Sequence, residues 1–276
     1  MNQLHKVERE ILREFVRICE KHNLTYFLTG GSALGAVRHK GFIPWDDDID
    51  VGMPRDDYER FIGLCADELK EAYYLLSSET KDTFPYQFCK ICKKNTLFIE
   101  PYMKCEFEYT GIFIDIFPYD NVVNSKLHLS LQQFCWVALN DFTRLLRRVF
   151  QHLVKKQTKK GGPDPLRGSV FVSLFKSAKK LQKKIMTYHH HKDTDHFAQW
   201  SGGHGYKRET FRKDAFFPPT YLEFEGTRYP CPRDTHAYLT QMYGHDYMVP
   251  PSDQKNCKVV LAAENVEPTA AEPTRT

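Results

Sequence analysis

The stretch LTGGSALGAVRHKGFIPWDDDIDVGMP, residues Leu28–Pro54, decides the fold. The residues leading into it, Thr25–Thr29 (TYFLT), are β-branched and aromatic, which reads as a strand. Gly30-Gly31-Ser32 breaks that strand, and Ala33–His39 predicts a helix with Ser32 near its N-cap. Four aspartates then crowd the span from Asp46 to Asp50. Asp46–Met53 alternates, with Asp48, Asp50 and Gly52 on one face and Ile49, Val51 and Met53 on the other, and Pro54 ends the run.

Two carboxylates at i and i+2 of a strand share a face and repel one another. Burying them without a partner costs several kcal/mol, so either their pKa values rise or a cation sits between them. Such a donor set suits hard, oxygen-seeking Mg²⁺ or Mn²⁺, ions that also hold substrate phosphates. Asp115 is a third acid, set among apolar residues in GIFIDIFPYD (Gly111–Asp120). It joins the pair if its strand is a neighbour; it can equally be a core acid paired with a lysine or arginine. Gly30, Gly31 and Ser32 put backbone N–H groups at a helix start, a phosphate-binding arrangement, and Arg38 and Lys40 follow closely enough to balance phosphate charge. The bland alternative for the acidic run is a solvated turn, against which Ile49 and Val51 interleave the acids in strand fashion.

Outward from this stretch, Leu4–His22 and Asp56–Glu71 have the spacing of amphipathic helices. Tyr86–Ile99 and Gly111–Phe117 read as strands, the second with Ile112, Ile114 and Ile116 opposite Phe113, Asp115 and Phe117. Leu127–Lys160 and Val170–Lys192 are helical and strongly basic, separated by Gly161–Gly168 (GGPDPLRG). From Ser201 the sequence implies loops and short strands, then a helix over His236–Tyr243; the tail from Ala262 has the composition of a disordered segment. The division expected is a catalytic core over 1–123, a helical basic insertion over 124–192, a return to the core domain over 193–261 and a tail over 262–276. With 41% hydrophobic and 14% aromatic residues the chain can bury a substantial core.

The net charge of +4 does not mark a nucleic-acid binder. It fits a protein meeting anionic small molecules, with the basic helices either a solvated face or a peripheral contact with anionic membrane. No apolar signal core opens the chain and no membrane-length apolar run appears, so the expectation is a cytoplasmic protein, peripheral at the inner face of the membrane if those helices bind lipid. The eight cysteines are expected to be reduced. Cys89 and Cys92 have CxxC spacing, but on a strand they point to opposite faces, and Cys105 is the only other thiol nearby. Lys90 between them is a strand lysine within reach of a donor phosphate. His189-His190-His191 reads as the solvated end of a basic helix.

Gly30–Gly52, GGSALGAVRHKGFIPWDDDIDVG, resembles the signature of the LicD family of phosphocholine transferases, with fukutin-related phosphoribitol transferases as more distant relatives. The likeness continues in GIFIDIFPYD and in YLEFEGTRYPCPRDTHAYLTQMYGHDYMVPP (Tyr221–Pro251). It implies an α/β (α+β) fold: a nucleotidyltransferase-like core with a small mixed sheet flanked by helices. It also implies Asp48, Asp50 and Asp115 as the Mg²⁺- or Mn²⁺-binding catalytic acids, Asp46 as an additional candidate, and Gly31 and Ser32 as the glycine-serine element. The implied reaction moves phosphocholine from CDP-choline to a hydroxyl of a cell-surface glycan (lipopolysaccharide, teichoic acid or capsule), with a carboxylate such as Asp115 taking the acceptor proton. Phospho-alditol or nucleotidyl transfer from another nucleotide donor stands as one alternative, and a non-catalytic nucleotide-binding protein of the same fold as another. Tyr102, Tyr109, Phe117, Tyr119, Trp200, Tyr206 and Tyr221 supply aromatic faces from which a choline cage could be drawn.

Overall fold

The computed structural model describes residues 3–99, 110–123, 125–158, 170–205, 208–252 and 260–262. The Gly161–Gly168 break, Cys105, Tyr102, Tyr109, Tyr206 and nearly all of the segment from Lys255 and of the tail lie outside the described residues.

Helix α1 (Gln3–Lys21) buries Leu4, Ile11, Leu12, Phe15 and Ile18. Each such side chain contributes roughly 1.5–3 kcal/mol by leaving water. β1 (Phe27–Leu28) and α2 (Gly30–His39) follow, then β2 (Asp50–Pro54) and α3 (Arg55–Glu68). β3 (Tyr73–Leu76), β4 (Cys89–Lys93), β5 (Leu97–Ile99) and the ten-residue β6 (Phe113–Val122) complete the first half. After β6 comes an antiparallel hairpin of α4 (Lys126–Thr158) and α5 (Val170–Met186), joined where Gln132 reaches the Ile185 carbonyl and Phe150 packs on Phe175. The chain returns through β7 (His196–Ala198), β8 (Thr210–Arg212), the β9–β10 ribbon (Thr220–Phe224, Thr227–Cys231), α6 (Thr235–Tyr243) and β11 (Val260–Ala262), which pairs β5.

Seven strands form one mixed sheet in the order β1-β2-β6-β4-β3, with β7 on the far half of β6 and β8 beyond it. Only β2 and β6 run parallel; the other neighbours are antiparallel. The α/β class with a mixed sheet flanked by helices is as expected. Several boundaries differ. α2 starts at Gly30 instead of Ala33, because Thr29 is the N-cap residue and Ser32 lies inside the first turn. β2 starts at Asp50, four residues later than the alternation suggests, although the Asp115 N–H already bonds the Ile49 carbonyl. Tyr86–Ile99 divides into β4 and β5 around Asn95, whose φ of 58° no strand accommodates. β6 runs on through Pro118 to Val122.

Alternation along β6 separates two kinds of chemistry. Asp115 and Phe117 share one face. Asp120 is on the other, where Arg55 at the start of α3 grips it with Nε at 2.7 Å and a second guanidinium nitrogen at 2.8 Å, both partners buried. The paired geometry is what makes burying the two charges tolerable. Removing Asp120 leaves the buried guanidinium with Glu59, 3.0 Å away, as its remaining acid, so Asp120→Ala is expected to lower the unfolding free energy by about 3 kcal/mol, read from the denaturation midpoint at unchanged slope.

Candidate active site

The site is a row of charge across three adjacent strands. In the β2–β6 register Asp50 stands opposite Asp115, and in the β4–β6 register Lys90 stands opposite Asp115. All three therefore fall on one face of the sheet. Lys90 Nζ lies 2.7 Å from Asp115 Oδ1 and 3.2 Å above the Phe113 ring. Asp48 precedes β2, yet its carboxylate converges: oxygens of Asp48, Asp50 and Asp115 all lie within 4.8 Å of one another. Asp46, Asp47 and Asp48 form a second group within the same spacing. The row opens into a cleft of about 280 Å³ whose walls include Tyr86, Phe88, Phe117, Glu209 and Tyr243.

Like charges at this spacing cannot all ionise cheaply. Burial, then Asp50 and the other acids, push the Asp48 carboxyl well above its usual range. Burial, then Asp115 and Asp46, do the same to Asp50, opposed by the Gly31 N–H and Lys90. Asp46 is pushed up to about 6, by burial and then Asp47. Glu8, fully buried on α1 and with no hydrogen-bond partner for either carboxylate oxygen among the described residues, is raised by burial and then by Asp47, Asp46 and Asp115. Hard oxygen donors with this much unrelieved repulsion fit a divalent cation of the Mg²⁺ or Mn²⁺ kind.

The two glycines are there for space. Gly30 has φ +52°, and a Cβ on it would stand 2.4 Å from Asp50 Oδ2; one on Gly31 would stand 2.5 Å from Asp46 Oδ2. The start of α2 thus rides directly against the acids. Its first two N–H groups are already engaged: Gly30 donates to the Tyr238 hydroxyl at 2.8 Å and Gly31 to Asp50. Ser32 is buried, and its Oγ accepts the Asp50 N–H at 2.8 Å, tying helix to strand. Thr29 spends no hydroxyl on capping because that hydroxyl belongs to a buried chain. Counting donors gives Tyr238 O–H to Thr29 Oγ1 (2.6 Å), Thr29 O–H to Tyr119 (2.7 Å), and Tyr119 O–H to Gln199 Oε1 (2.9 Å).

The structure brings Gly30, Asp48, Asp50, Lys90 and Asp115 to the cleft wall, with Gly31, Ser32 and Asp46 directly behind. Arg38 and Lys40 lie at the far end of α2 and do not line the cleft. Arg38 bonds the Tyr247 carbonyl at 2.9 Å and sits 5.8 Å from the Trp45 ring; Lys40 is the exposed C-cap residue with φ 55°. Of the cage candidates, Phe117 lines the cleft, Tyr119 is buried in the hydroxyl chain and Tyr221 is exposed on β9. Cys89 and Cys92 are buried and free, and burial raises both thiols, Cys92 to about 12. His189 is buried and His190 pairs with Asp56 at 3.1 Å; only His191 matches the solvated reading of that run. Glu8, Thr29, Gln199, Glu209 and Tyr238 had no local signal. Their partners lie up to 209 residues away.

A family model described as the LicD/FKTN/FKRP nucleotidyltransferase domain matches residues 23–153. The lipopolysaccharide cholinephosphotransferase LicD of Haemophilus influenzae is 32% identical over 252 residues, 89% of this chain and 91% of that protein. An uncharacterized protein of Rickettsia prowazekii is 33% identical over 107 residues, 38% of this chain and 37% of its own. The human ribitol 5-phosphate transferase FKRP is 47% identical over 57 residues, 21% of this chain and 11% of that protein.

The raised Asp50 pKa has a definite sign. Above the ordinary aspartate range the unfolded chain releases this proton while the native state resists, so the native state holds more protons and stability falls as pH rises. Asp50→Asn removes that fall. It is expected to melt higher than the wild type by roughly 2–4 °C near about pH 8 without metal, with the difference vanishing towards about pH 4. Mg²⁺ should raise the wild-type melting temperature at neutral pH and leave the variant unmoved. Gly31→Ala should lose the same Mg²⁺ response through the displacement of Asp46.

Proposed function

The chain belongs to the LicD family, and on that premise we propose that it is a metal-dependent phosphotransferase moving phosphocholine from CDP-choline to a hydroxyl of a cell-surface glycan. The observation that carries this reading is the convergence of Asp48, Asp50 and Asp115 beside Lys90 on one cleft. Near end-to-end similarity to a lipopolysaccharide cholinephosphotransferase supports the head group over a phospho-alditol.

The reaction forms a bond from the acceptor oxygen to phosphorus, breaks the bond from phosphorus to the CMP oxygen, and sends the hydroxyl proton to a carboxylate. Asp48, Asp50 and Asp115 would hold the cation, which when bound neutralises the donor diphosphate and the developing charge on CMP. Lys90 is the residue we assign to the donor phosphates, being the cation already at the acids. A phosphate entering the cleft competes with Asp115 for that ammonium, and the carboxylate so relieved is placed to take the acceptor proton. Little covalent chemistry is asked of the chain itself, so positioning and charge stabilisation dominate.

Purified protein with Mg²⁺, CDP-choline and a lipopolysaccharide acceptor is expected to release CMP. Asp48→Asn and Asp50→Asn should each slow release about 10³-fold, the equivalent of several kcal/mol of charge stabilisation. Release from CDP-ribitol or CDP-glycerol alone would reassign the head group. Pyrophosphate from a nucleoside triphosphate would make the enzyme a nucleotidyltransferase. Nucleotide binding without turnover of any donor would make it a binding protein.

A further inference from the structure

Helix α4 carries two rows of large side chains, one buried and one exposed. Its inner side buries Gln132, Trp136, Thr143, Leu146 and Phe150. Its outer side carries Leu127, Leu131, Phe134, Ala138, Phe142 and Leu145, all exposed and spaced four, three, four, four and three residues apart. That is a continuous helical stripe turned away from the core, with Leu127 79% and Phe134 71% exposed. α5 repeats the pattern with Val170, Leu174 and Leu181. Of the fourteen large hydrophobic side chains exposed among the described residues, ten are on these two helices. A surface helix that only packs against its own domain has one apolar side; a concentrated second one marks a surface that something covers.

Charge identifies the occupant. α4 carries six basic residues and one acid, and α5 carries five basic residues and no acid; of these, Lys179 is buried, Lys176 and Lys183 pair with Asp82, Glu59 and Glu79, and Arg144 pairs with Asp141. Exposed basic residues run beside each stripe: Arg148 three positions after Leu145 and four after Arg144, and Lys184 three after Leu181 and four after Lys180. Apolar stripes edged by cations are complementary to a layer with an apolar interior and an anionic surface. A second copy meeting the same face would set basic row against basic row. We infer that the α4–α5 hairpin is a docking surface for an anionic lipid bilayer, seating the enzyme peripherally.

The hairpin is fixed to the cleft wall. Lys179 Nζ donates to the Pro85 carbonyl at 2.7 Å, Gln87 Nε2 donates to the Lys179 carbonyl and to Gln182 Oε1 at 2.9 Å each, and the Arg147 guanidinium lies 5.8 Å from the Tyr86 ring. Tyr86 and Phe88 line the cleft. Docking therefore sets how the cleft stands to the bilayer. This inference goes beyond the proposed reaction and is independent of the donor.

The test is co-sedimentation of the full chain with vesicles of phosphatidylcholine alone and of phosphatidylcholine mixed with phosphatidylglycerol. Binding is expected to the mixed vesicles only, weakening as salt rises. Arg148→Glu/Lys180→Glu/Lys184→Glu should lose about fivefold or more per position, and Leu131→Glu/Phe134→Glu/Leu145→Glu should abolish binding, with melting temperature and Mg²⁺ response unchanged in both. Equal binding to neutral vesicles, no binding to either, or retention by the apolar-to-glutamate variant overturns the inference. Concentration-dependent dimerisation that this variant removes, without lipid binding by the wild type, assigns the face to a second copy instead.

Discussion

Carboxylate repulsion is the constraint around which this molecule is arranged. Asp46, Asp47, Asp48, Asp50 and Asp115 are held within a few ångströms of their neighbours, with Glu8 buried close by. A chain selected for stability alone would separate them or pair each with a cation. Here one ammonium, Lys90, is set into the row, and the rest of the local structure holds the acids in place. Ser32 fixes the Asp50 backbone, Gly31 donates to its carboxylate, and the missing Cβ atoms of Gly30 and Gly31 let the helix start approach. Unlike the Arg55–Asp120 pair on the opposite face of β6, where two charges cancel and stay buried, the acid row faces an opening. The same strand thus carries a satisfied ion pair for the fold and an unsatisfied charge row for a ligand.

The cleft is also where distant parts of the chain are made to agree. Tyr238 of α6 and Gln199 after β7 reach Thr29 and Tyr119 through one buried chain of hydroxyls. Every hydroxyl in it donates once and accepts at least once, so the chain is satisfied internally and each bond polarises the next. Its effect is positional. Gly30 donates its N–H to a hydroxyl 208 positions later, so the start of α2 is set by the C-terminal third as much as by its own glycines. The loops that close the other side, from Ser201 to Gly203 and at Tyr243, belong to that same third.

How much of this could be read in advance follows the range of the interactions. Period-two alternation placed Asp48, Asp50 and Asp115 facing one way; the parallel β2–β6 register delivers the meeting of Asp50 with Asp115, while Asp48 converges from the segment before β2. Lys90 was legible for the same reason, a polar residue inside an apolar strand. Arg38 and Lys40 stand at the far end of α2 and do not line the cleft, although the Arg38 charge still reaches Asp46 and opposes the rise of its pKa. Ser32 looked like a cap because capping is local, but the Thr29 conformation that starts the helix is set by partners 90 and 209 residues away. The second apolar stripe of α4 was hidden by the first, since two neighbouring stripes read simply as one broad apolar helix face.

The arrangement restricts how a nucleotide diphosphate can be held in the proposed reaction. A helix start with free N–H groups binds phosphate directly. At α2 the Gly30 and Gly31 N–H groups are committed to Tyr238 and to Asp50, so the positive end of the helix acts on the acids it touches. Among the described residues lining the cleft, the positive charge offered to the phosphates is that of Lys90, joined by the cation that the acids themselves attract. That makes the carboxylate row the anion-binding element at one remove: it is negative, it recruits positive charge, and the recruited charge holds the phosphate. Substitutions that quiet the repulsion would steady the fold and remove the reason for the cation to be there, so stability and activity are expected to move in opposite directions at Asp48 and Asp50.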